Sequence, residues 1–316
     1  MKKNIVVGTR GSRLALMQCY QAIADIQDIS KVKYGELVDS QFKVIITTGD
    51  EMQGTPGAES LTKTAWIDKI EEALLNKTIN VAIHSGKDIP KDIAQGTKLI
   101  PIGKRNSPFD VFIGKLKDGK RVKFQDLQIG ANIGTASLRR GLFLKESNNS
   151  YNIVPHRGNV PTRILKLDES KNLDGIILAA AGINRLNMNC DYEELSYKNI
   201  VPSALQGTLV AQIREDDTET ENLVNRMLDK ETEICFNIER KLSEYLGADC
   251  KSCVGIYAYI ENTILKLIIS AISPITMKKN ELIKEVELQK LDMTMFLGEI
   301  NNSLEFKEIV KIVNEK

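Results

Sequence analysis

The sequence predicts an α/β chain made of two successive runs of alternating strands and helices, closed by a small α+β region. Three observations carry this. Short apolar runs that end in glycine, threonine or serine are followed by stretches whose apolar residues recur at helical spacing. After GKRNSP the plan starts again, and IVVGTRGS and ANIGTASL both end an apolar strand with Gly and Thr before entering a helix. From about residue 230 the pattern changes to one long helical stripe followed by paired β-rich segments. Strands alternating with helices argue for parallel sheets, in which ligands gather at the carboxyl ends of strands.

In chain order, NIVVGT reads as a buried strand and SRLALMQCYQAIADIQ as the helix after it. FKVIITTGD is a second strand, AWIDKIEEALLNK an amphipathic helix with Trp66, Ile70, Ala73 and Leu74 on one face, and NVAIHS a third strand. The second run comprises ANIGTASLRRGLFLKES, the strand NIVPHRG, the helix VPTRILKLDES and DGIILAAAGINRL. In the last region Ile234, Ile238, Leu242 and Leu246 fall four apart on one helix. VGIYAYIE and ILKLIISAI then pair across an Asn-Thr turn, and a third strand and a C-terminal helix, EFKEIVKIVNEK, follow.

Bulk numbers narrow the function. At 316 residues the chain has room for two or three domains. Its 43 Lys plus Arg against 42 Asp plus Glu leave a net charge of +1, without the global basic field of a nucleic-acid binder, so anion recognition must be local. The apolar run in MKKNIVVGTR stops at Gly8 and Arg10, too short for a signal-peptide core. TILKLIISAIS, interrupted by Lys266, falls short of the roughly 18 apolar residues of a membrane span. The expectation is a cytoplasmic protein with reduced thiols and no membrane partner.

The arginines fall where strands run into turns. The loops are TRGSR (Arg10, Ser12, Arg13), HSGKD (Lys87, Asp88), GTASLRR (Thr135, Ser137, Arg139, Arg140), HRGNVPTR (Arg157, Arg163) and GINR (Arg185). Small residues let backbone N–H groups approach an anion, helix N-termini add partial positive charge, and guanidinium groups grip carboxylates bidentately. One such arginine can be a solvated charge or a salt bridge. Five such loops together call for a polyanion, because clustered like charge repels. With neither GxxxxGK[ST] nor GxGxxG present, several carboxylates on one extended ligand fit better than a nucleotide. Asp88, an acid within this basic set, could hold N–H donors, stabilise a cation formed in a reaction, or pair with neighbouring bases. His84 reads as a satisfied, partly buried imidazole rather than a base, and His156, beside Arg157, is disfavoured as a cation.

Cys250 and Cys253 form a CxxC in a chain with five cysteines. Cys19, Cys190, Cys235 and the two histidines lie scattered, which disfavours zinc, so no metal is expected. The pair follows a helix and precedes a strand, the reverse of a thioredoxin-type dithiol. On these grounds a turn cysteine without a task stays open.

The motifs TRGSRLALMQ, IHSGKDIP, GTASLRR, RGNVPTR, ILAAAGINRL, and a cysteine followed five residues later by Gly255, taken in this order, resemble the porphobilinogen deaminase (hydroxymethylbilane synthase) family over nearly the whole chain. The resemblance implies two doubly wound, periplasmic-binding-protein-like domains, residues 1–103 with 206–226 and residues 108–202, plus a third small α+β domain, 230–316. It implies a transferase of haem biosynthesis that condenses four porphobilinogen molecules, with loss of ammonia through a cationic azafulvene, and releases hydroxymethylbilane. Cys250 would carry the dipyrromethane cofactor through a thioether, a bond suited to thiolate chemistry. Asp88 matches the catalytic aspartate that binds pyrrole N–H groups and offsets positive charge. Ser12, Lys87, Asp88, Thr135, Ser137, Arg139, Arg140, Arg157 and Arg185 match cofactor-binding positions, and Arg10, Arg157 and Arg163 substrate-binding ones. A monomer is implied, its product passing to uroporphyrinogen-III synthase.

Departures from the family pattern cluster in GAESLTKTAWIDK, where the family has a glycine-rich lid. Lys63 and Trp66 fill the second lysine and the aromatic position, while Glu59 falls where a lysine is common. Trp66 reads equally as core on the apolar face of its helix. Cys253 replaces a proline or another non-cysteine residue, Arg13 a frequent proline, and Leu205 a usual glycine, in the strand returning to the first domain. Two rivals remain: a polycarboxylate-binding protein without chemistry, and a dithiol oxidoreductase.

Overall fold

A computed structural model describes residues 2–52, 63–248 and 252–315. The chain forms two compact units, residues 1–106 with 208–236 and residues 107–207 with 237–316.

The first unit is a five-stranded sheet with helices on both faces. Its elements are β1 (Lys2–Thr9), α1 (Arg13–Tyr34), β2 (Leu37–Val44), α2 (Thr48–Glu51), α3 (Asp68–Leu75), β3 (Val81–Ser85) and β4 (Thr97–Ile102). Alternation along the strands supplies both faces. Ile5 and Val7 of β1, with Val81 and Ile83 of β3, join the α1 residues Cys19, Ala22 and Ile26 in one core. Val6 and Ala82 point the other way, to Ile70 and Leu74 of α3. Helix α1 starts where the Ser12 hydroxyl accepts the Ala15 N–H at 3.3 Å, and ends at Gly35, whose left-handed φ of 63° returns its N–H to Lys31 and Ser30.

The second unit carries β5 (Asp110–Gly114), β6 (Leu116–Lys117), β7 (Lys120–Arg121), β8 (Asn132–Gly134), α4 (Leu138–Ser147), β9 (Asn152–Val154), α5 (Val160–Glu169), β10 (Gly175–Ala179), α6 (Ala180–Arg185) and β11 (Glu193–Leu195). The chain then returns to the first unit with β12 (Leu209–Arg214) and α7 (Thr218–Val224), and α8 (Lys230–Leu246) leads out again. Last come β13 (Val254–Glu261), β14 (Ile264–Ile272), β15 (Lys279–Glu287), α9 (Met293–Asn302) and α10 (Leu304–Val313). The sheet orders are β2-β1-β3-β12-β4 in the first unit, and β11-β5-β10-β8-β9 and β13-β14-β15 in the second.

The sheets are mixed, which corrects the expectation of parallel ones. β1 pairs in parallel with β2 and β3, and β8 with β9 and β10, but β12 runs antiparallel to β3 and β4, and β5 antiparallel to β10 and β11. Hydrophobic periodicity marks a strand without fixing its direction. The returning β12 is inserted between two strands formed before the chain left the unit.

In the last region Asn262 and Thr263, at φ 50° and 65°, make the tight two-residue turn that matches strand twist between β13 and β14. Ile238, Leu242 and Leu246 of the α8 stripe are buried, while Ile234 at its start is half-buried. Helix α9 was not foreseen. β13 packs so closely on Val201 that a Cβ at Gly255 would lie 2.4 Å from the Val201 carbonyl oxygen, and Ile256 N donates to Pro202 O at 2.9 Å. That approach accounts for the glycine in the motif.

Candidate active site

In the first unit, three loops at strand ends bring Arg10, Lys63, Trp66, Lys87 and Asp88 into related positions. Arg10 follows β1. Its Nε lies 3.2 Å from both Asp50 oxygens and its Nη2 2.5 Å from Oδ1, while the Trp66 ring covers Cζ at 4.4 Å. Asp50 is fixed by a capping box at the start of α2, accepting from the Thr47 hydroxyl at 2.8 Å and backbone N–H at 3.2 Å. Burial alone would raise its carboxyl, but the bonds from Arg10 and Thr47 outweigh that and hold it below the ordinary carboxylate range. Ser12, expected at the cofactor, caps α1, and Arg13 opens that helix on its exposed side.

Trp66 is not on the apolar face of α3. It ends a short 3-10 turn, Lys63–Trp66, ahead of that helix, half-buried against Gly49. Periodicity overran the true start because Trp66 and Ile67 extend the apolar pattern. Lys63 Nζ donates to Lys87 O at 2.6 Å and Ile89 O at 3.4 Å, so it grips the backbone on both sides of Asp88. Asp88 itself is exposed at the end of the 3-10 turn Gly86–Asp88 that follows β3.

Beneath that turn His84 is buried, with Nε2 3.1 Å from Gln212 Oε1. Gln212 donates to Glu71 Oε1 and Thr97 Oγ1, each at 2.8 Å. A carboxylate only accepts, so Glu71 turns the Gln212 amide oxygen towards His84 and makes Nε2 the protonated nitrogen. Burial pushes the His84 pKa down to about 4 against the raising effects of Gln212 and Asp88, with Arg10 adding to the depression. Burial thus favours the neutral imidazole, which is hydrogen-bonded as expected but buried rather than partly buried.

In the second unit the turns after β8, β9 and β10 carry the remaining residues. Thr135 is buried and its Oγ1 accepts Ser137 N at 3.2 Å; Ser137 caps α4 by accepting Arg140 N at 3.4 Å. Arg139 and Arg140 are buried and converge on Asp110: Arg139 Nη2 lies 2.7 Å from Oδ2, and Arg140 Nη2 2.7 Å and Nε 3.1 Å from Oδ1. Asp110 is fully buried. Burial opposes its charge, but the two guanidinium groups and Gln206 hold its carboxyl far below the ordinary range. Arg139 also reaches Val201 O at 2.6 Å, and Arg185 Nη2 reaches Gly207 O at 2.6 Å.

Arg157 is exposed, and its guanidinium makes no hydrogen bond among the described residues. Arg163 donates to Gly158 O at 2.7 Å; burial first, then the charges of Arg140 and Arg157, lower its pKa to about 10. One acid, Asp110, thus faces two arginines, and with Arg157 and Arg163 in the same unit positive charge stays in excess. His156 is held by the same loop, Nε2 2.9 Å from Arg163 O.

Asp50 and Asp110 were not singled out from sequence. Asp110 had a legible signal, since an acid opening the buried strand DVFIG demands a cationic partner. Leu205 is corrected as well: it lies in a turn before β12, at φ 61°, its N–H 2.5 Å from Glu239 Oε2. Cys253 is buried, its thiol directed at Ile312 O at 3.8 Å. Cys250 and Glu59 lie outside the described residues. Among the described residues no group of three or more His, Cys, Asp or Glu could hold a metal ion, and no helix is long and apolar enough to cross a membrane.

Each unit of this α/β chain thus carries cationic loops at its strand ends, and in the first an exposed acid, Asp88, follows the strand that carries the buried His84. The family model for "Porphobilinogen deaminase, dipyromethane cofactor binding domain" matches residues 5–222. The chain belongs to the porphobilinogen deaminase family. A porphobilinogen deaminase of Clostridioides difficile (strain 630) is 38% identical over 258 residues, 81% of this chain and 83% of that protein. One of Syntrophus aciditrophicus (strain SB) is 34% identical over 296 residues, 93% of each. The solved methionine binding protein MetQ aligns with 75% of this chain and 95% of its own at 16% identity and a TM-score of 0.42.

Proposed function

We propose that this chain is a transferase of tetrapyrrole and haem biosynthesis, a hydroxymethylbilane synthase that joins four porphobilinogen molecules head to tail with loss of ammonia. The observation that carries the reading is the convergence of Arg139 and Arg140 on the single carboxylate of Asp110, with Arg157 and Arg163 in the neighbouring loop holding no carboxylate among the described residues. Positive charge gathered in excess of its carboxylate partners fits a ligand with several acid arms. Arg139 and Arg140, already bound to Asp110, hold that basic surface in shape and add to its charge. Arg157 and Arg163 are the residues of the second unit, and Arg10 the residue of the first, proposed to bind substrate carboxylates.

The dipyrromethane, when bound, supplies the pyrrole carbon to which substrate units are added. Its acid arms suit the arginine loops and its N–H groups suit an exposed carboxylate, and Cys250 is the residue proposed to hold it as a thioether. Asp88, exposed at the end of its turn, is the residue proposed to accept pyrrole N–H bonds and offset the positive charge that develops as ammonia leaves. Lys63, gripping the backbone around Asp88, steadies that carboxylate. A monomer in the cytoplasm, handing its product to uroporphyrinogen-III synthase, completes the proposal.

Asp88→Asn tests it. Ammonia release and product formation from porphobilinogen should nearly vanish while the fold and most ligand affinity persist; an active variant would remove Asp88 from the mechanism. Cys253→Ser separates this reading from dithiol chemistry. The transferase keeps its activity, and an oxidoreductase loses it.

A further inference from the structure

Asp50 belongs to none of the loops read as binding ligand, yet its carboxylate accepts three hydrogen bonds from Arg10. A guanidinium has five N–H donors in one plane. Asp50 takes the side of that plane formed by Nε and Nη2, and the Trp66 ring covers one face at 4.4 Å. Nη1 makes no hydrogen bond among the described residues. Both partners are themselves fixed. Asp50 is locked in the Thr47 capping box, and Trp66 sits over Gly49, where a Cβ would come within 2.4 Å of the indole. Gly49 is the residue before Asp50, so a single short helix, Thr48–Glu51, sets the positions of acid and ring together.

From this geometry we infer that Asp50 and Trp66 are positioning residues: they hold Arg10 side-on and face-on so that its Nη1/Nη2 end is presented to a substrate carboxylate. The inference rests on the function proposed above, in which Arg10 meets an acid arm. A loose arginine would have to be ordered when the carboxylate arrives, and here that ordering is complete beforehand. A mobile Arg10 binds more weakly and leaves the chemical step unchanged, so the effect falls on KM and spares kcat.

The test is steady-state turnover of porphobilinogen by the full-length wild type, Arg10→Gln, Asp50→Asn, Trp66→Leu and the Arg10→Gln/Asp50→Asn double variant, with thermal midpoints recorded for each. Asparagine preserves the shape of the cap. Asp50→Asn and Trp66→Leu should each raise KM about tenfold, the loss of roughly one charge-assisted bond, with kcat within about threefold of wild type. Asp50→Asn should add nothing further once Arg10 is Gln. A KM within about twofold of wild type in folded Asp50→Asn or Trp66→Leu overturns the inference. So does a lowered KM in Asp50→Asn, which would make Asp50 a competitor for Arg10. A wild type that does not turn over porphobilinogen, or an Arg10→Gln with unchanged KM, overturns the functional reading instead.

Discussion

The imidazole of His84 donates to the side-chain amide of Gln212, its Nε2 3.1 Å from Oε1. The pair is buried below the turn that carries Asp88, and Glu71 fixes its direction through the Gln212 amide. His84 is therefore a neutral support for the acid above it, and its proton affinity has a measurable consequence.

Its pKa is about 4 in the fold against 6.5 in the unfolded chain. Between those values the unfolded state binds the extra proton, so stability is complete above about pH 6.5 and falls as pH drops towards 4. The difference amounts to about 3 kcal/mol. Urea unfolding at pH 7 and pH 4 should show the stability advantage of wild type over His84→Gln shrinking by about that amount. An advantage independent of pH would mean that the imidazole is not held neutral.

Asp110 is the only carboxylate on Arg139 and Arg140 among the described residues, and all three side chains are buried. Asp110→Asn leaves two buried guanidinium groups without their countercharge, and should destabilise the protein by about 3–5 kcal/mol. Denaturant unfolding measures it. A loss below about 1 kcal/mol would show that the arginines find water or another acceptor.

Arg157 is exposed, and its positive charge disfavours that on Arg163. Arg157→Gln should leave the thermal midpoint unchanged or slightly raised, because it removes a repulsion, while KM for porphobilinogen rises about tenfold. A lowered midpoint with unchanged KM would make Arg157 structural.

Leu205 holds a left-handed φ of 61° and is buried. Alanine keeps the buried Cβ that glycine loses, but only glycine relieves the left-handed backbone, and the second effect is the larger. Leu205→Gly should thus be the more stable of the two by about 1 kcal/mol, the reverse of the usual order. Equal stabilities, or alanine ahead, would show that the turn carries no strain.

Much of this was legible before the fold. Strand ends show as apolar runs stopping at small residues, so the loops of Arg10, Asp88, Arg139 and Arg157 could be placed from sequence, and the α8 stripe and the Asn262–Thr263 turn as well. Direction was not legible: nothing in LVAQIR says that β12 runs against β3. Nor was partnership. Arg139 and Arg140 look like free ligand-binding bases until Asp110, about 30 residues earlier in the sequence, folds onto them. Trp66 was misplaced because its apolar character continues a helical pattern that its backbone leaves. Asp50 reads as an ordinary turn acid, since only the fold brings it to Arg10.

The most direct measurement is the intact mass of the purified, folded protein. It should exceed the mass of the polypeptide by one dipyrromethane, and Cys250→Ser should return it to the polypeptide mass with loss of activity. An unmodified wild type that stays unmodified after incubation with porphobilinogen would contradict the proposed tether and the function built on it.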